Sequence, residues 1–452
     1  MSTDNPPAPR RFSGYSAGSA GIGVLRQVMV FFPMFFYCPP AGKGTVYLDG
    51  MMVGIALLIG RLMDVLSDPA VGYLSDRTTH RWGKRLPYIV IGAPLWIVAT
   101  VLLFIPPGSA ESMANFYWLI LVSVLFFLAT TAVQIPYTAV LPEITGSEDE
   151  AVRVSARMGK FYMAGVLVTV AAGWPLASYL GFVGMALAFG LLSAVSFAFM
   201  IAELFTVEQR PVVGYTHGFL RSAITVITQK PFITYLVSHS LFMLGYYMLL
   251  VSTPYLITEI VGLDKTAAGG FFLLAMLVAI GVSPLITRLG LRWGKKPVML
   301  GAMVVYVLMF VLWNFIGRIP WVQGIGTTAI GSMTVDTGVL VQAIVFFAFA
   351  GVGVSVQMLL PNAIVADLVI YDERSAGQRR ESLVYGLQGG IEKNAVMIAT
   401  LLVGLILKLG NTASNPAGIY MIGPVAALLT GIGFAIFLAY PLRKGWQNDG
   451  TV

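Results

Sequence analysis

Apolar and polar residues alternate along this chain in long blocks, and the apolar blocks are long enough to cross a lipid bilayer as helices. A membrane-spanning helix needs about 20 mostly apolar residues. Twelve segments meet that length: 15–38, 46–74, 86–106, 115–142, 156–181, 183–206, 231–258, 266–289, 297–317, 336–370, 382–408 and 417–441. The pattern predicts an all-α membrane protein with twelve spans, and an even number of spans leaves both termini on one side.

The composition agrees with a chain that lies mostly in lipid. Of the 452 residues, 57% are hydrophobic and 11% are charged, whereas about 25% of residues are charged in soluble proteins. The single cysteine, Cys38, excludes an intramolecular disulfide. The polar first dozen residues are followed by no small-residue cleavage site at signal-peptide distance, so we expect a short cytoplasmic tail.

The distribution of Lys and Arg predicts the orientation in the membrane. With a cytoplasmic N-terminus, 21 of the 28 basic residues fall on the cytoplasmic side and four fall outside. Because basic loops stay on the cytoplasmic side, both termini are predicted to be cytoplasmic. Basic loops facing anionic lipid also explain the net charge of +7 without nucleic acid. We expect a bacterial inner membrane, since the N-terminal tail is short and glycosylation-dependent features are lacking.

A short repeat divides the chain into halves. Arg81-Trp-Gly-Lys84 and Arg292-Trp-Gly-Lys295 lie 211 residues apart, each in a predicted cytoplasmic loop. A parallel duplication of six spans is the arrangement of major facilitator proteins. We therefore predict a six-helix bundle over 1–206, a cytoplasmic linker over 207–230 and a second six-helix bundle over 231–452.

Two carboxylates interrupt the second apolar segment. Asp64 and Asp68 are four residues apart, which places them on one helix face about 6 Å apart along the axis, and Arg61 lies on the same side. An ionised side chain at this depth costs from about 3 to more than 10 kcal/mol, so such residues usually serve a cation, a proton or a substrate. The alternative is that the carboxylates only pair with Arg61 and Lys393 to hold helices together.

Four motifs in order along the chain resemble the glycoside–pentoside–hexuronide:cation symporters, a major facilitator family that includes the melibiose carrier and has lysophosphatidylcholine carriers as relatives. The motifs are Arg61-x-x-Asp64-x-x-x-Asp68-Pro69 with Gly72-Tyr-Leu-Ser-Asp76-Arg77; Arg81-Trp-Gly-Lys84-Arg85-x-Pro87; Gln134-Ile-Pro136-Tyr137 continuing to Glu143 and Thr145; and Leu360-Pro361 continuing through Asp367 and Asp372 to Glu381. The resemblance implies the twelve-span major facilitator fold.

The resemblance implies a cation site in the first half. The two carboxylates of the second span bind the coupling cation in the melibiose carrier, which assigns that role to Asp64 and Asp68. Two further ligand positions fall on Thr131, which is retained, and on Ser67, where the carrier has asparagine. Oxygen ligands of this kind suit Na⁺. The change to serine leaves the choice between Na⁺ and H⁺ open, and no cofactor beyond the coupling ion is expected.

The solute site departs from the melibiose carrier. The two sugar-binding carboxylates align with Gly23 and Gln134, and a nearby tryptophan aligns with Thr138. A site that binds hydroxyls through carboxylates rejects ligands strongly when the partners do not match, so this loss argues against a melibiose-like specificity. The alternative for Gln134 is an interhelical hydrogen bond. The other candidates for solute contact are Tyr137, Arg157, Tyr385 and Gln388.

Charged residues elsewhere are interpreted as coupling and gating groups. Lys393 lies in the eleventh span, where it is expected to pair with Asp64 or Asp68 and to respond to cation occupancy. Static pairing is the alternative. Glu392 receives no role. The candidates for gating at the cytoplasmic ends are Asp76, Arg77, Arg81, Lys84, Arg85, Glu143, Asp367, Asp372, Arg379 and Arg380.

These patterns predict a secondary active transporter that couples Na⁺ or H⁺ to a sugar or glycoside by alternating access. A lysophospholipid or another amphipathic solute is the alternative substrate. No phosphate-binding loop and no hydrolase constellation is found in the sequence, so an enzyme is not expected. The expected partners are the solute and the bilayer, without nucleic acid, and the carrier is expected to be a monomer.

Overall fold

The computed structural model describes residues 12–145, 148–206, 225–320, 322, 324–330, 333–376 and 381–442. Its helices are α1 (Ser13–Phe31), α2 (Pro33–Tyr37), α3 (Gly50–Arg77), α4 (Leu86–Leu102), α5 (Met113–Ile144), α6 (Glu148–Tyr179), α7 (Gly181–Thr206), α8 (Lys230–Tyr255), α9 (Thr266–Trp293), α10 (Lys295–Trp313), α11 (Thr337–Ala376), α12 (Glu381–Leu407) and α13 (Ala417–Leu438). A π-helical turn, Leu256–Val261, follows α8. The strands β1 (Thr327–Ile330) and β2 (Met333–Asp336) form an antiparallel hairpin.

The helices confirm the predicted all-α membrane fold. Among the described residues, 11 helical segments are long and apolar enough to span a bilayer, with α1 and α2 acting together as one segment. The remaining apolar helix, α4, has 17 residues, a length of about 26 Å. Together they account for the twelve predicted spans.

The helices form two groups that pack alike. In the first group α1 packs on α6 and α7, α3 on α5, and α4 on α5 and α7. In the second group α8 packs on α12 and α13, α9 on α11, and α10 on α11 and α13. Each pairing in one group has its counterpart in the other, as a parallel duplication requires. The domain boundaries at 206 and 231 stay a prediction because 207–224 lie outside the described residues.

Three local features differ from twelve uninterrupted spans. The first span breaks at Phe32, where Pro33 starts α2 without a backbone N–H to continue the hydrogen bonds of α1. The seventh span ends in the π-helical turn that follows Pro254. The hairpin formed by β1 and β2 stands between α10 and α11. The length of an apolar segment predicts a span, but it does not predict a break within the span or a short strand next to it.

The helix assembly has two ends that differ in charge. The end with the loop between α3 and α4, which carries Arg81, Lys84 and Arg85, is called the basic side. The end where α3 begins at Gly50 and α12 ends at Leu407 is called the opposite side.

Candidate functional site

The candidate cation site lies where α3 and α5 approach closely. A side chain at Gly60 on α3 would meet the Ser123 hydroxyl of α5 at 2.5 Å. That hydroxyl donates a hydrogen bond to the backbone oxygen of Ala56 on α3, at 3.1 Å. Small residues let membrane helices pack at short range, and this packing brings the polar positions one to two turns further along α3 within reach of α5.

The four predicted cation ligands converge on the Thr131 hydroxyl of α5. Thr131 Oγ1 lies 2.7 Å from Asp64 Oδ1 and 2.8 Å from Asp68 Oδ1, as the donor to both. The Ser67 hydroxyl donates to Thr131 Oγ1 at 3.1 Å. Asp64, Ser67 and Thr131 are buried. The geometry makes one compact group of side-chain oxygens from residues that are as far as 67 apart in sequence.

The chemistry of this group suits a small cation. Thr131 carries one hydroxyl proton, so both of its carboxylate contacts share that proton. Carboxylate and hydroxyl oxygens are hard ligands of the kind that bind hard cations. The residues therefore fit either a metal cation such as Na⁺ or a proton bound by a carboxyl group.

Arg61 connects the carboxylates to other charges in the assembly. Its Nη1 forms an ion pair with Asp64 Oδ2 at 2.9 Å, and its guanidinium lies 4.9 Å from the ring centre of Phe127. Arg26, Asp68 and the uncharged phenol of Tyr247 also lie within electrostatic range of Arg61. Tyr247 belongs to α8, so Arg61 lies near the second helix group.

The predicted coupling lysine lies on a helix that passes alongside α3. The helix α12 packs on α3, as the expected pairing of Lys393 with Asp64 or Asp68 requires. The side chains of Lys393 and Glu392 lie outside the described part of the structure, so the pairing stays a prediction.

Gly23 sits at a tight contact between α1 and α6. A side chain there would meet the backbone oxygen of Tyr162 at 2.6 Å. The position that aligns with a sugar-binding carboxylate therefore has no room for a side chain. This contact gives Gly23 a packing role in the helix interface.

Two other candidates for solute contact present polar atoms that need a partner. Gln134 Oε1 and Arg157 Nη1 are both buried from solvent, and each has no hydrogen-bond partner among the described residues. Leaving such an atom unpaired costs about 1–3 kcal/mol, and more when the group is charged. A bound solute that hydrogen-bonds to these atoms would remove that cost.

The remaining solute candidates are engaged within the protein. The Tyr137 hydroxyl donates to the Tyr15 backbone oxygen at 3.0 Å and lies 2.7 Å from the Ser19 hydroxyl. Thr138, which is exposed, donates to the backbone oxygen of Gln134 at 3.0 Å. Gln388 is buried and donates to the Tyr235 hydroxyl at 3.4 Å. The side chain of Tyr385 lies outside the described part.

Ion pairs on the basic side repeat between the halves. Lys84 Nζ and Arg85 Nη2 each lie 3.2 Å from Glu143 Oε1, at the end of α5. In the second half, Lys295 Nζ lies 2.8 Å from Asp367 Oδ2 on α11. Lys84 and Lys295 are the matched lysines of the sequence repeat, and each pairs with the fourth span of its own half. The repeat found in the sequence therefore marks a repeated structural contact.

The other predicted gating residues whose side chains the structure describes have separate partners. Asp372 is buried, and its Oδ1 accepts a hydrogen bond from Gln229 Nε2 at 2.7 Å. The guanidinium of Arg77 lies 4.2 Å from the ring centre of Tyr73, and that of Arg81 lies 5.3 Å from the ring centre of Trp82. The side chain of Asp76 and the residues Arg379 and Arg380 lie outside the described part.

On the opposite side, the two halves meet through specific contacts. Gly50 on α3 packs so closely on α12 that a Cβ on Gly50 would lie 3.0 Å from the Cα of Gly404. The flanking ion pair joins Lys408 Nζ to Asp49 Oδ1 at 3.0 Å. The Tyr255 hydroxyl of α8 donates to the Cys38 backbone oxygen at 2.5 Å. These contacts join the two halves on this side.

Sequence reasoning missed three of these groups. It assigned no role to Arg26, although a guanidinium in an apolar segment was a usable signal. Tyr247 gave no signal because aromatic residues are common in membrane helices. The Asp49–Lys408 pair could not be found, since 359 residues separate its partners and no motif marks them.

Comparisons with known proteins agree with a membrane transporter fold. A sequence model described as MFS/sugar transport protein matches residues 14–439. The chain is 25% identical to an uncharacterised symporter of Synechocystis, over 96% of this chain and 94% of the relative. It is 24% identical to the isoprimeverose transporter of Lactiplantibacillus pentosus, over 91% of this chain and 82% of the relative.

The fold also matches that of solved transporters. A bacterial homologue of the human lysosomal transporter Spinster superposes with a TM-score of 0.65 at 15% identity, covering 96% of this chain and 98% of that one. At this identity the match describes the fold alone. It agrees with the two matching groups of helices.

Proposed function

The chain belongs to the MFS/sugar transport protein family, and from that premise we propose that it couples the movement of Na⁺ or H⁺ to the uptake of a sugar or glycoside. Its relatives and fold neighbours are membrane transporters and not enzymes. The observation that carries the proposal is the convergence of Asp64, Asp68, Ser67 and Thr131 within hydrogen-bonding distance inside the helix assembly.

The cation enters the proposal through this oxygen group. When Na⁺ or a proton binds, it takes over interactions that Thr131 now makes with both carboxylates. Arg61 forms an ion pair with Asp64, and Asp68 contributes the second carboxylate to the site. The hydrogen bonds and the ion pair orient Asp64 and Asp68 before the ion arrives, so ion binding costs little side-chain entropy.

The solute is proposed to bind next to the cation. Gln134 is one helical turn from Thr131 on α5 and has a buried acceptor, and Arg157 on α6 has a buried donor. Sugar hydroxyls both donate and accept hydrogen bonds, so a site with an acceptor and several donors can bind them. The similarity to the isoprimeverose transporter favours a glycoside over the lysophospholipid alternative.

Alternating access follows from the contacts between the halves. We take 1–206 and 231–452 as the moving bundles, joined by a linker over 207–230, and the basic side as cytoplasmic. The contacts made by Asp49, Tyr255 and Gly404 then represent a carrier closed to the outside. The ion pairs of Glu143 and Asp367 serve as the gating groups of the inner side, with Lys393 linking the halves.

Transport by purified protein in proteoliposomes tests the proposal. Uptake of labelled glycosides, pentosides, uronides and a lysophospholipid is measured under separate Na⁺ and pH gradients. We expect one gradient to drive uptake of a glycoside, and Asp68→Asn to abolish that stimulation. Glu111→Gln, which changes an exposed loop carboxylate, is the matched control. Uptake that ignores both gradients, or that persists unchanged in Asp68→Asn, would contradict the proposal.

A further inference from the structure

Phe127 lies on the face of α5 that packs against α3. It shares this face with Ser123 and Thr131, because residues four positions apart lie on one side of a helix. Ser123 donates a hydrogen bond to the backbone of α3, and Thr131 contacts both carboxylates of the candidate cation site. Phe127 is 3% exposed, and its position between these two contacts holds its ring against α3.

The ring of Phe127 contacts the guanidinium of Arg61. Arg61 Cζ lies 4.9 Å from the ring centre, within the distance of about 6 Å at which the negative face of an aromatic ring attracts a cation. The same guanidinium pairs through Nη1 with Asp64 Oδ2 at 2.9 Å. Arg61 is 5% exposed, and its Nε has no hydrogen-bond partner among the described residues. Little water therefore screens the attraction between the ring and the guanidinium.

The Asp64 carboxylate links Arg61 to the cation site. Its Oδ2 pairs with Arg61, whereas its Oδ1 accepts a hydrogen bond from the Thr131 hydroxyl. In the proposed symport a cation binds beside Thr131, and its positive charge offsets part of the negative charge of Asp64. Asp64 then balances the charge of Arg61 less completely. The other groups that contact the guanidinium, among them Phe127, therefore contribute more to its stability.

The Phe127 ring should stabilise the loaded carrier more than the empty one, and a side chain changes the affinity for an ion only through such a difference. The negative face of the ring attracts the guanidinium in both states. In the loaded state the cation also repels Arg61 and weakens its pairing with Asp64, so the guanidinium is drawn further onto the ring. A ring with a weaker negative face would therefore destabilise the loaded carrier more than the empty one, and cation binding would weaken.

We propose that Phe127 is a positioning residue of the cation site, which stabilises the Arg61 guanidinium while the cation occupies Asp64 and so strengthens cation binding. This inference rests on the proposed symport and names a residue that controls the affinity of its ion site. The ring acts through Arg61, so the affinity for the cation should depend on the electron density of the ring and not only on its size.

The test weakens the negative face of the ring while its shape is nearly kept. Phenylalanine with one, two or three fluorines, which withdraw electrons from the ring face, is inserted at position 127 by suppression of a nonsense codon. The probe is the cation alone. Purified protein is titrated with sodium chloride, with choline chloride keeping the ionic strength constant, and in a second series the pH is varied without Na⁺. The increase in unfolding temperature that Asp68→Asn abolishes reports cation binding.

We expect the half-saturating cation concentration to rise with each added fluorine, by about threefold or more for three fluorines, a change that the strength of a buried cation–π contact allows. Phe127→Leu, which has no aromatic face, should show at least the same rise. The unfolding temperature without the cation should stay near that of wild type. The matched control is Phe126, which is equally buried and packs on Trp96 at 5.9 Å between ring centres. The same fluorines at Phe126 should leave cation binding unchanged.

The outcomes separate this inference from the proposed function. Cation binding that is the same for all fluorinated rings at position 127 overturns the role of Phe127 and leaves the symport standing. An equal rise with fluorines at Phe126 also overturns it, because the effect then comes from helix packing and not from the contact with Arg61. If neither Na⁺ nor protons stabilise wild type more than Asp68→Asn, the proposed cation site fails and this inference fails with it.

Discussion

Thr131 on α5 donates a hydrogen bond to Asp64 on α3 across a distance of 2.7 Å, and it contacts Asp68 at 2.8 Å. The two carboxylates belong to one helix, but the hydroxyl that bridges them comes from another. In the proposed symport, an ion that binds between the two carboxylates would act on the packing of α3 against α5, and cation occupancy would be linked to helix position.

Replacing Thr131 should weaken cation binding with little effect on the fold. Thr131→Val keeps the side-chain shape and removes the hydroxyl, so the cation concentration for half-maximal uptake should rise about tenfold or more. A hydrogen bond to a charged group is worth roughly 1.5–3 kcal/mol. Thr131→Ser, the matched control, keeps the hydroxyl and should stay near wild type. Equal cation dependence in wild type and Thr131→Val would show that Thr131 is not a ligand.

Adding a methyl group at Gly404 should hold the opposite side open. A Cβ there would overlap the backbone oxygen of Gly50, so in Gly404→Ala the two halves cannot close as observed. We expect slower transport and faster labelling of Cys38, the chain's single cysteine, by a membrane-impermeant maleimide. Gly431→Ala is the control, since nothing lies within 4 Å of a Cβ at that position. Unchanged labelling in Gly404→Ala would show that this contact does not keep the opposite side closed.

Labelling of Cys38 should also depend on pH. Burial, with a smaller contribution from the Asp49 carboxylate, raises the pKa of the Cys38 thiol to about 11. The thiolate is the reactive form, so in the closed state it is scarce at neutral pH, and the labelling rate should keep rising from pH 7 to pH 9. In Gly404→Ala, exposure should lower the pKa of the Cys38 thiol toward 8.5. The rise in the labelling rate should then occur at lower pH. The same pH profile in both proteins would show that the closure does not control Cys38.

The two ion-paired carboxylates on the basic side, Glu143 and Asp367, should differ in their effect on stability. The Glu143 side chain is fully buried between two cations, whereas the Lys295 partner of Asp367 is 35% exposed. Glu143→Gln removes a buried carboxylate that both Lys84 and Arg85 contact and should lower the free energy of unfolding by roughly 3 kcal/mol. Asp367→Asn should cost no more than about 1 kcal/mol. Thermal unfolding in one detergent compares the two variants. Equal losses of stability would show that the difference in burial does not determine the effect.

The hairpin between α10 and α11 should loosen in acid. Hydrogen bonds from the backbone N–H groups of Gly324, Val339 and Gly338 lower the pKa of Asp336. A carboxyl group with a lowered folded-state pKa stabilises the fold above its unfolded-state pKa, about 3.9, and the stabilisation is lost as the pH falls through the folded-state value. Amide exchange at Gly338 and Val339, corrected for intrinsic rates, should therefore increase between pH 5 and pH 3.

The matched variant for the hairpin is Asp336→Asn. It keeps a side-chain oxygen that accepts hydrogen bonds at the start of α11, but it does not titrate. Its amide exchange should be faster than wild type at pH 5 and should show no step toward pH 3. A step of the same size in Asp336→Asn would assign the pH dependence to another group.

Much of this fold could be predicted because a helix that crosses lipid requires a long apolar segment. Every span is a long apolar block, so the twelve segments and their helical state follow from the sequence alone. The break at Phe32 and the hairpin near Ile330 could not be predicted, because they depend on local hydrogen bonds and not on segment length.

The candidate site was predictable only in part. The spacing of Asp64 and Asp68 gave one helix face directly, but Thr131 entered through resemblance, since 67 residues separate it from Asp64. Gly23 could be aligned with a carboxylate position, yet only the approach of α6 shows that no side chain fits there. Contacts between distant spans are set by packing and carry no local sequence pattern.

The most direct test of the cation site is to measure cation movement caused by the solute. A transported glycoside is added to proteoliposomes without any imposed gradient, and Na⁺ and pH electrodes follow the external medium. We predict that wild type takes up Na⁺ or H⁺ together with the solute, and that Asp68→Asn moves neither ion while still binding the solute. Solute-driven cation uptake of the same size in Asp68→Asn would contradict the assignment of the site to Asp64, Asp68, Ser67 and Thr131.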